Sequence, residues 1–196
     1  MASISDLVWK ISIPPVHVEE RGILYHSDFR EVVADLPNES IDLIVTDPPY
    51  GINYRGCKLG AHRCDTGNSW RTASPINLIE NDDYPTALNL FESLLRHSSR
   101  VLRKGGCFCA CCPAGGRHLK AFTAWVRLTE EYLGVKNVVV WDKSHIGLGS
   151  HYRKAYELVL IGKKPGAPCT WNGGMTTPNI FRCKPVNRLC NTHPTP

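Results

Sequence analysis

Residues 41–54 read IDLIVTDPPYGINY. The run Ile41–Thr46 is β-branched and almost unbroken in apolar character, which predicts a strand buried on both faces, as in parallel sheets. Open α/β sheets bind ligands at the carboxyl ends of their strands, and Asp47 stands at such an end. A residue before proline is pushed toward extended backbone, so Asp47 continues the strand line. Pro48 and Pro49 fix φ and offer carbonyls but no N–H, giving a rigid corner that only accepts hydrogen bonds. Tyr50 adds a flat face with a polar tip. An acid, a fixed carbonyl and an aromatic plate together make a receptor for a planar group bearing an NH2, such as adenine or cytosine. The lone pair of that amino group is delocalised into the ring. Donation of its two hydrogens to the Asp47 carboxylate and the Pro48 carbonyl would localise the pair for attack. A base in a duplex must first leave the stack, at a cost of a few kcal/mol. The plain alternative is a turn after a strand. The buried strand before the motif, and Gly51 with a polar stretch after it, favour a site.

Outward from this stretch the chain alternates between two periods. ILYH at 23–26 predicts a short strand, and Phe29, Val32, Val33 and Leu36 fall at helical spacing up to Pro37. Residues 51–80 carry Gly, Asn, Arg and Ser without period, a loop or insertion. Pro85 opens a helix whose apolar stripe is Leu88, Phe91, Leu95 and Leu102, with Arg103 and Lys104 at its basic end and Gly105-Gly106 as its stop. CFCACC (107–112) predicts a strand. Leu119, Phe122, Val126 and Leu133 mark a further helix ended at Gly134, and VVVW (138–141) and YELVLIG (156–162) two more strands. From Lys163 onward Pro and Gly dominate and no element is predicted. Strands alternating with helices predict one α/β domain over residues 1–196 with a mainly parallel sheet.

The formal net charge of +5 and a pI of about 8.7 suit a polyanionic partner without requiring one. Nine cysteines is an odd, scattered count with an adjacent pair at Cys111-Cys112, unlike a secreted disulfide framework. The start MASISDLVWKISIPP lacks the basic, then apolar, pattern of a signal peptide. No apolar run approaches the about 20 residues of a membrane span. These features predict a reduced, intracellular, soluble protein. Cys107, Cys109 and Cys111 alternate onto one strand face and Cys112 onto the other, so they read as small hydrophobes rather than zinc ligands. Cys57, His62 and Cys64 read as loop residues in preference to a metal site, and no metal is expected. GLG at 147–149 lacks the following helix of a dinucleotide fingerprint, and the remaining histidines share no spacing.

IDLIVTDPPYGINY resembles the catalytic motif of the S-adenosyl-L-methionine-dependent DNA amino-methyltransferases, which act on adenine N6 or cytosine N4. The likeness extends over HSDFREVVADLPNES before the motif, LRKGGCFCACCPAG after it, VVVWDKSHIGLGSHYRKAYELVLIGKK, and the final NTHPTP. Catalytic motif first and cofactor motif after is the order of the β-type members. The resemblance implies a Rossmann-like fold, S-adenosyl-L-methionine as cofactor, double-stranded DNA as partner, base flipping, and a cytoplasmic, bacterial or phage-encoded enzyme of the restriction-modification kind. It implies a catalytic set of Asp47, Pro48, Pro49 and Tyr50. Cofactor contacts are implied for Asp28, Asp47, His193, Pro194 and Thr195; Asp28 and Glu31 also have the spacing of a capping box. Trp141, Lys143, Arg153 and Glu157 match the family's WxK…R…E framework. Lys143 and Arg153, with Lys163, Lys164 and Arg182 of a small recognition region at 163–190, are expected to meet DNA. Aspartate at the first motif position favours adenine over cytosine, where serine is common, and argues against the glutamine-modifying relatives, which carry asparagine. The alternative is a DNA-binding remnant without catalysis.

In β-type relatives the His-Pro-Thr segment is followed by a helix and a strand ending in a Phe-x-Gly-x-Gly-like turn, which approaches the amino-acid end of the cofactor. Such a turn is missing before Pro196. The fold is therefore expected to be incomplete at its C-terminal side, with an open edge beside the Asp47 strand and completion by a homodimer or a second chain.

Overall fold

The computed structural model describes residues 11–53, 80–113, 118–146 and 152–183. Strands β1 (His17–Glu19) and β2 (Gly22–Leu24) pair as an antiparallel hairpin apart from the main sheet. Helix α1 (Phe29–Asp35) starts at Asp28, whose carboxylate accepts the Arg30 N–H at 2.9 Å, and ends before Pro37. Strand β3 (Ile41–Thr46) has the predicted bounds. Helix α2 (Tyr84–Val101) is capped by the Asp83 side chain on the Thr86 N–H, with Pro85 in the first turn, where a missing N–H costs nothing. There follow β4 (Leu102–Cys112), α3 (Leu119–Tyr132), β5 (Val135–Asp142), β6 (Tyr156–Lys163) and β7 (Ile180–Arg182).

Five strands form one sheet in the order β3-β4-β6-β5-β7. The fold is α/β, as expected, and the sheet is mixed: β3 with β4 and β5 with β7 are parallel, whereas β6 runs antiparallel to both its neighbours. Within this sheet helices separate β3 from β4 and β4 from β5, and among the described residues none lies between β5 and β6, where the chain returns antiparallel.

Helices α2 and α3 cover one face. Phe91, Leu95, Trp125 and Leu128 pack there against Phe108, Ala110, Cys112 and Leu160, all less than 7% exposed. The period of a strand sorts CFCACC as anticipated: Phe108, Ala110 and Cys112 are buried under the helices, and Cys107, Cys109 and Cys111 lie half-buried on the opposite face.

Three expectations are corrected. Strand β3 is not buried on both faces: Leu43 is 53% and Val45 73% exposed. It is the edge of the sheet, and the helices cover only the other face. Gly105-Gly106 does not end a helix. The helix stops at Val101, Leu102 begins β4 directly, and both glycines lie within the strand, where Ile41 pairs with Leu102 but Leu43 with Cys107. That offset is a bulge, and Gly105 in it has φ +78° and lies where a Cβ would meet the Pro168 carbonyl oxygen, so the position requires glycine on both counts. Finally, the Pro/Gly-rich C-terminal stretch does contain an element, the three-residue β7 beside β5.

Candidate active site

The strand that ends at Thr46 delivers Asp47, exposed, to the edge of the sheet, and the two prolines turn the chain so that Tyr50 folds back over it. The Tyr50 hydroxyl donates to Asp47 Oδ1 at 2.7 Å. Behind the ring stands Trp125 of α3, edge-on at 5.9 Å between centroids and 80° between planes. Trp125 is itself stacked on Phe91 at 3.9 Å and 7°. The aromatic plate of the motif is thus anchored in the core while its polar end faces the acid. Burial, and then the hydrogen bond to Asp47 and the charge of Asp47, push the Tyr50 hydroxyl well above the ordinary tyrosine range, so it stays a proton donor.

Other strands bring groups to the same end of the sheet. Cys111, near the end of β4, has its thiol raised first by burial and then by the Asp47 and Glu157 carboxylates. Glu157, on β6, forms an ion pair with Lys143, which follows β5. The Lys143 ammonium also lies 5.3 Å from the Trp141 ring centre. On β7, Arg182 pairs with Asp142 at 2.9 Å while remaining largely exposed. Arg153 is exposed beyond β5.

Not all residues singled out in the sequence meet here. Lys163 and Lys164 lie toward the other end of the sheet: Lys163 is in register with Cys107, four residues before Cys111 and so roughly 13 Å away along the strand at about 3.3 Å per residue. Their ammonium groups are spent on local carbonyls, Lys163 on Ala167 at 3.0 Å and Lys164 on Leu102 at 2.7 Å, and Lys164 also pairs with Glu39 at 3.2 Å. His193, Pro194 and Thr195 lie outside the described residues, as do Cys57, His62, Cys64 and GLG 147–149.

Asp28 borders a pocket of about 460 Å³ that includes Asn81, Thr86 and Asn89. Phe29 and Leu90 belong both to that pocket and to an apolar groove of about 370 Å³ that runs along Ile44 and Val45 to Pro48 and Pro49. The two cavities thus share Phe29 and Leu90 as common walls, one reaching Asp28 and the other the Asp47–Tyr50 corner. The Arg30 guanidinium grips the Asp28 carboxylate and holds it at about 2, so capping and a charged acceptor coexist in this residue. The capping partner is the Arg30 N–H, not Glu31 as the capping-box spacing suggested.

Sequence reading missed two supports of the corner. One is Trp125, whose place behind Tyr50 depends on the docking of α3. The other is Asp82, 3% exposed, which accepts the Gly51 N–H at 2.7 Å from 31 residues away. No local pattern distinguishes either. Among the described residues no three His, Cys, Asp or Glu side chains converge as metal ligands, and no helix is long and apolar enough to cross a membrane.

The family of DNA methylases, the N6/N4 methyltransferases, matches residues 41–187 of the chain. No curated protein is similar enough in sequence to count as a match. Among solved structures, the cytosine-N4-specific PvuII DNA methyltransferase is similar at a TM-score of 0.58 and 18% identity, over 89% of this chain and 61% of its own. M1.HpyAVI in complex with SAM is similar at 0.50 and 19%, over 88% and 69%. TTHA0409 of Thermus thermophilus, classed as a DNA modification methylase and complexed with S-adenosyl-L-methionine, stands at 0.46 and 24%, over 74% and 56%. At these identities the likenesses concern the fold alone, and this chain spans little more than half the length of the Thermus protein.

Proposed function

The chain belongs to the N6/N4 family of DNA methylases, and from that premise we propose that it moves a methyl group from S-adenosyl-L-methionine to the exocyclic amino group of a base in double-stranded DNA, adenine ahead of cytosine. The observation that carries this reading is the Asp47–Tyr50 corner: an exposed carboxylate at a strand end, hydrogen-bonded to an aromatic plate that is braced by Trp125. A base lifted from the stack would lie on Tyr50. With Oδ1 of Asp47 engaged by the Tyr50 hydroxyl, Oδ2 and the Pro48 carbonyl are left to accept the two amino hydrogens. Both acceptors gain strength as positive charge develops on the nitrogen, which is where preorganised polar groups lower a barrier. The nitrogen then sheds its proton, and the exposed Asp47 carboxylate gives it a path to water.

The two neighbouring pockets, one at Asp28 and one reaching Pro49, fit the cofactor by their chemistry. Asp28, Asn81, Thr86 and Asn89 present acceptors and donors to a sugar and an amino acid, and Phe29 and Leu90 present apolar surface to a flat ring. When bound, S-adenosyl-L-methionine supplies an electrophilic methyl group on a sulfonium. His193, Pro194 and Thr195 are assigned to the same cofactor through the family motif.

The preference for adenine rests on aspartate at the first motif position. Sequence discrimination is assigned to 163–190, a region short enough to suit a recognition site of few base pairs, and phosphate contacts to Arg153 and Arg182 at the Asp47 end of the sheet. The test is transfer of labelled methyl groups to unmethylated DNA, followed by nucleoside analysis. N6-methyladenine is expected. N4-methylcytosine would select the cytosine alternative, and DNA binding without transfer would identify a DNA-binding module that does no chemistry. Single-molecule sequencing of the product gives the site, and a long site would contradict the assignment of 163–190.

A further inference from the structure

Three successive amides downstream of Tyr50 converge on one residue. The Gly51 N–H donates to Asp82 Oδ1 at 2.7 Å, the Ile52 N–H reaches the same oxygen at 3.4 Å, and the Asn53 N–H donates to the Asp82 backbone carbonyl at 2.8 Å. Asp82 is only 3% exposed, and a carboxylate taken out of water needs strong partners to offset its lost hydration. Hydrogen bonds to an ionised acceptor are shorter and stronger than neutral ones. Asp82 also stands next to Asp83, the N-cap of α2, and α2 carries Phe91 and Leu95 into the core without exposure. Through Asp82 the loop after the catalytic corner is referenced to a helix anchored in the core.

The contact at Gly51 shows how closely the parts fit. Gly51 has φ +72°, and a Cβ built there would lie 3.0 Å from the Tyr84 Cα and 3.3 Å from the Ala87 Cβ. The chain passes against the first turn of α2 with no room for a side chain. Tyr50 is consequently held from two directions, by Trp125 against its ring and by Asp82 through the amides that follow it.

We propose that Asp82 is a positioning residue, which sets the Asp47–Tyr50 corner against helix α2 by gathering the amides of Gly51, Ile52 and Asn53. The catalytic consequence rests on the methyltransferase reading above; the mechanical one does not. A displacement of about 1 Å in a reacting constellation can cost 10²-fold in rate. Asp82→Ala should therefore lower kcat by about 10²-fold while KM for DNA and for cofactor stays close to the wild-type value. Asp82→Asn keeps one acceptor oxygen in the same shape, loses the charge and exchanges the second oxygen for an NH2 donor. It should fold normally and lose up to about tenfold, the difference between a charged and a neutral hydrogen bond.

The experiment pairs kinetics on the full chain with site-resolved amide hydrogen exchange at residues 51–53. Exchange there should accelerate in Asp82→Ala and return most of the way in Asp82→Asn, with β3 and the middle of α2 protected as in the wild type. Unchanged exchange at 51–53 in the variants overturns the proposal, and so does faster exchange with wild-type kcat in an active enzyme. If the wild-type chain transfers no methyl groups, the methyltransferase reading falls, and the exchange measurement still decides whether Asp82 holds the corner. If Asp82→Ala does not fold, the residual acceleration at 51–53 in Asp82→Asn is the readout: faster exchange than in the wild type supports the proposal, and exchange identical to the wild type overturns it.

Discussion

Replacing Tyr50 by phenylalanine deletes one atom and separates two roles of the residue. The ring, its edge-on contact with Trp125 and its stacking face all remain. What is lost is the 2.7 Å hydrogen bond to Asp47 Oδ1. A hydrogen bond to a charged acceptor contributes about 1.5–3 kcal/mol when shielded. Asp47 is exposed, so water replaces much of the lost bond, and the lower end of that range, about 1.5 kcal/mol, is appropriate for the cost of leaving the carboxylate to find its orientation. That corresponds to about tenfold in kcat. Tyr50→Ala adds the loss of stacking, about 1–3 kcal/mol for a base. Single-turnover methyl transfer, with DNA affinity measured alongside, resolves the two: Tyr50→Phe should lower the rate constant about tenfold at unchanged affinity, and Tyr50→Ala should lower it further. Wild-type rates in Tyr50→Phe would refute the claim that the hydroxyl orients Asp47. Equal losses in both variants would refute the claim that the ring carries the base. The same substitution has a signature in stability. The folded protein raises the Tyr50 pKa, chiefly by burial, so the unfolded chain loses this proton first. The contribution is complete below about pH 10, the unfolded value, and declines as pH rises above it. Alkaline unfolding should therefore come at higher pH in Tyr50→Phe, relative to its own neutral stability, than in the wild type.

Asp47→Ala should lower kcat by about 10²–10³-fold, as for other preorganised polar partners, with little change in DNA affinity by filter binding; a matching loss of affinity would make Asp47 a binding residue instead. Gly51→Ala forces a side chain into a positive-φ site against the Tyr84 backbone and should cost about 1–3 kcal/mol in thermal or denaturant unfolding, whereas a neutral result would mean that the loop shifts freely. DNA affinity should fall with salt by about 0.9 in log K per log unit for each phosphate neutralised. Removing Arg153 or Arg182 should flatten that slope, and removing Lys164, whose ammonium is held by Leu102 and Glu39, should not. A flat salt response in the wild type would argue against duplex DNA.

Features with a local cause were legible in the sequence. The β-branched run Ile41–Thr46 is a strand with those bounds, and Asp28 caps α1. The alternation of CFCACC divides its side chains between two faces as a strand must. Features set by what lies opposite were not. Leu43 and Val45 read as buried because their composition suits a strand covered on both sides, and they are exposed because among the described residues the helices cover only the other face of the sheet. Gly105-Gly106 reads as a helix stop because a glycine pair after basic residues has that local meaning, yet the glycines serve a bulge against Pro168. That the ammonium groups of Lys163 and Lys164 donate to the Ala167 and Leu102 carbonyls is likewise visible only in the fold. In the candidate site, the grouping of Asp47 with Tyr50 was readable because the two stand within four consecutive residues, and the structure joins them by a hydrogen bond. Asn81-Asp82-Asp83 before a helix reads only as a capping run. That Asp83 caps while Asp82 turns back to Gly51 is decided by an approach of segments 31 residues apart.

The passage of α2 into β4 at Val101–Leu102 without a connecting loop limits how the length of this chain can vary. Loops usually absorb insertions because nothing beyond them has to move. Here one added residue would turn α2 by about 100° against the strand, since a helix takes about 3.6 residues per turn. Phe91 and Leu95 would rotate out of contact with Phe108 and Trp125. Asp82, at the far end of the same helix, would swing away from Gly51. Across homologues, then, the spacing from Asp82 to Cys112 should be as invariant as a gear ratio, whatever indels accumulate on either side.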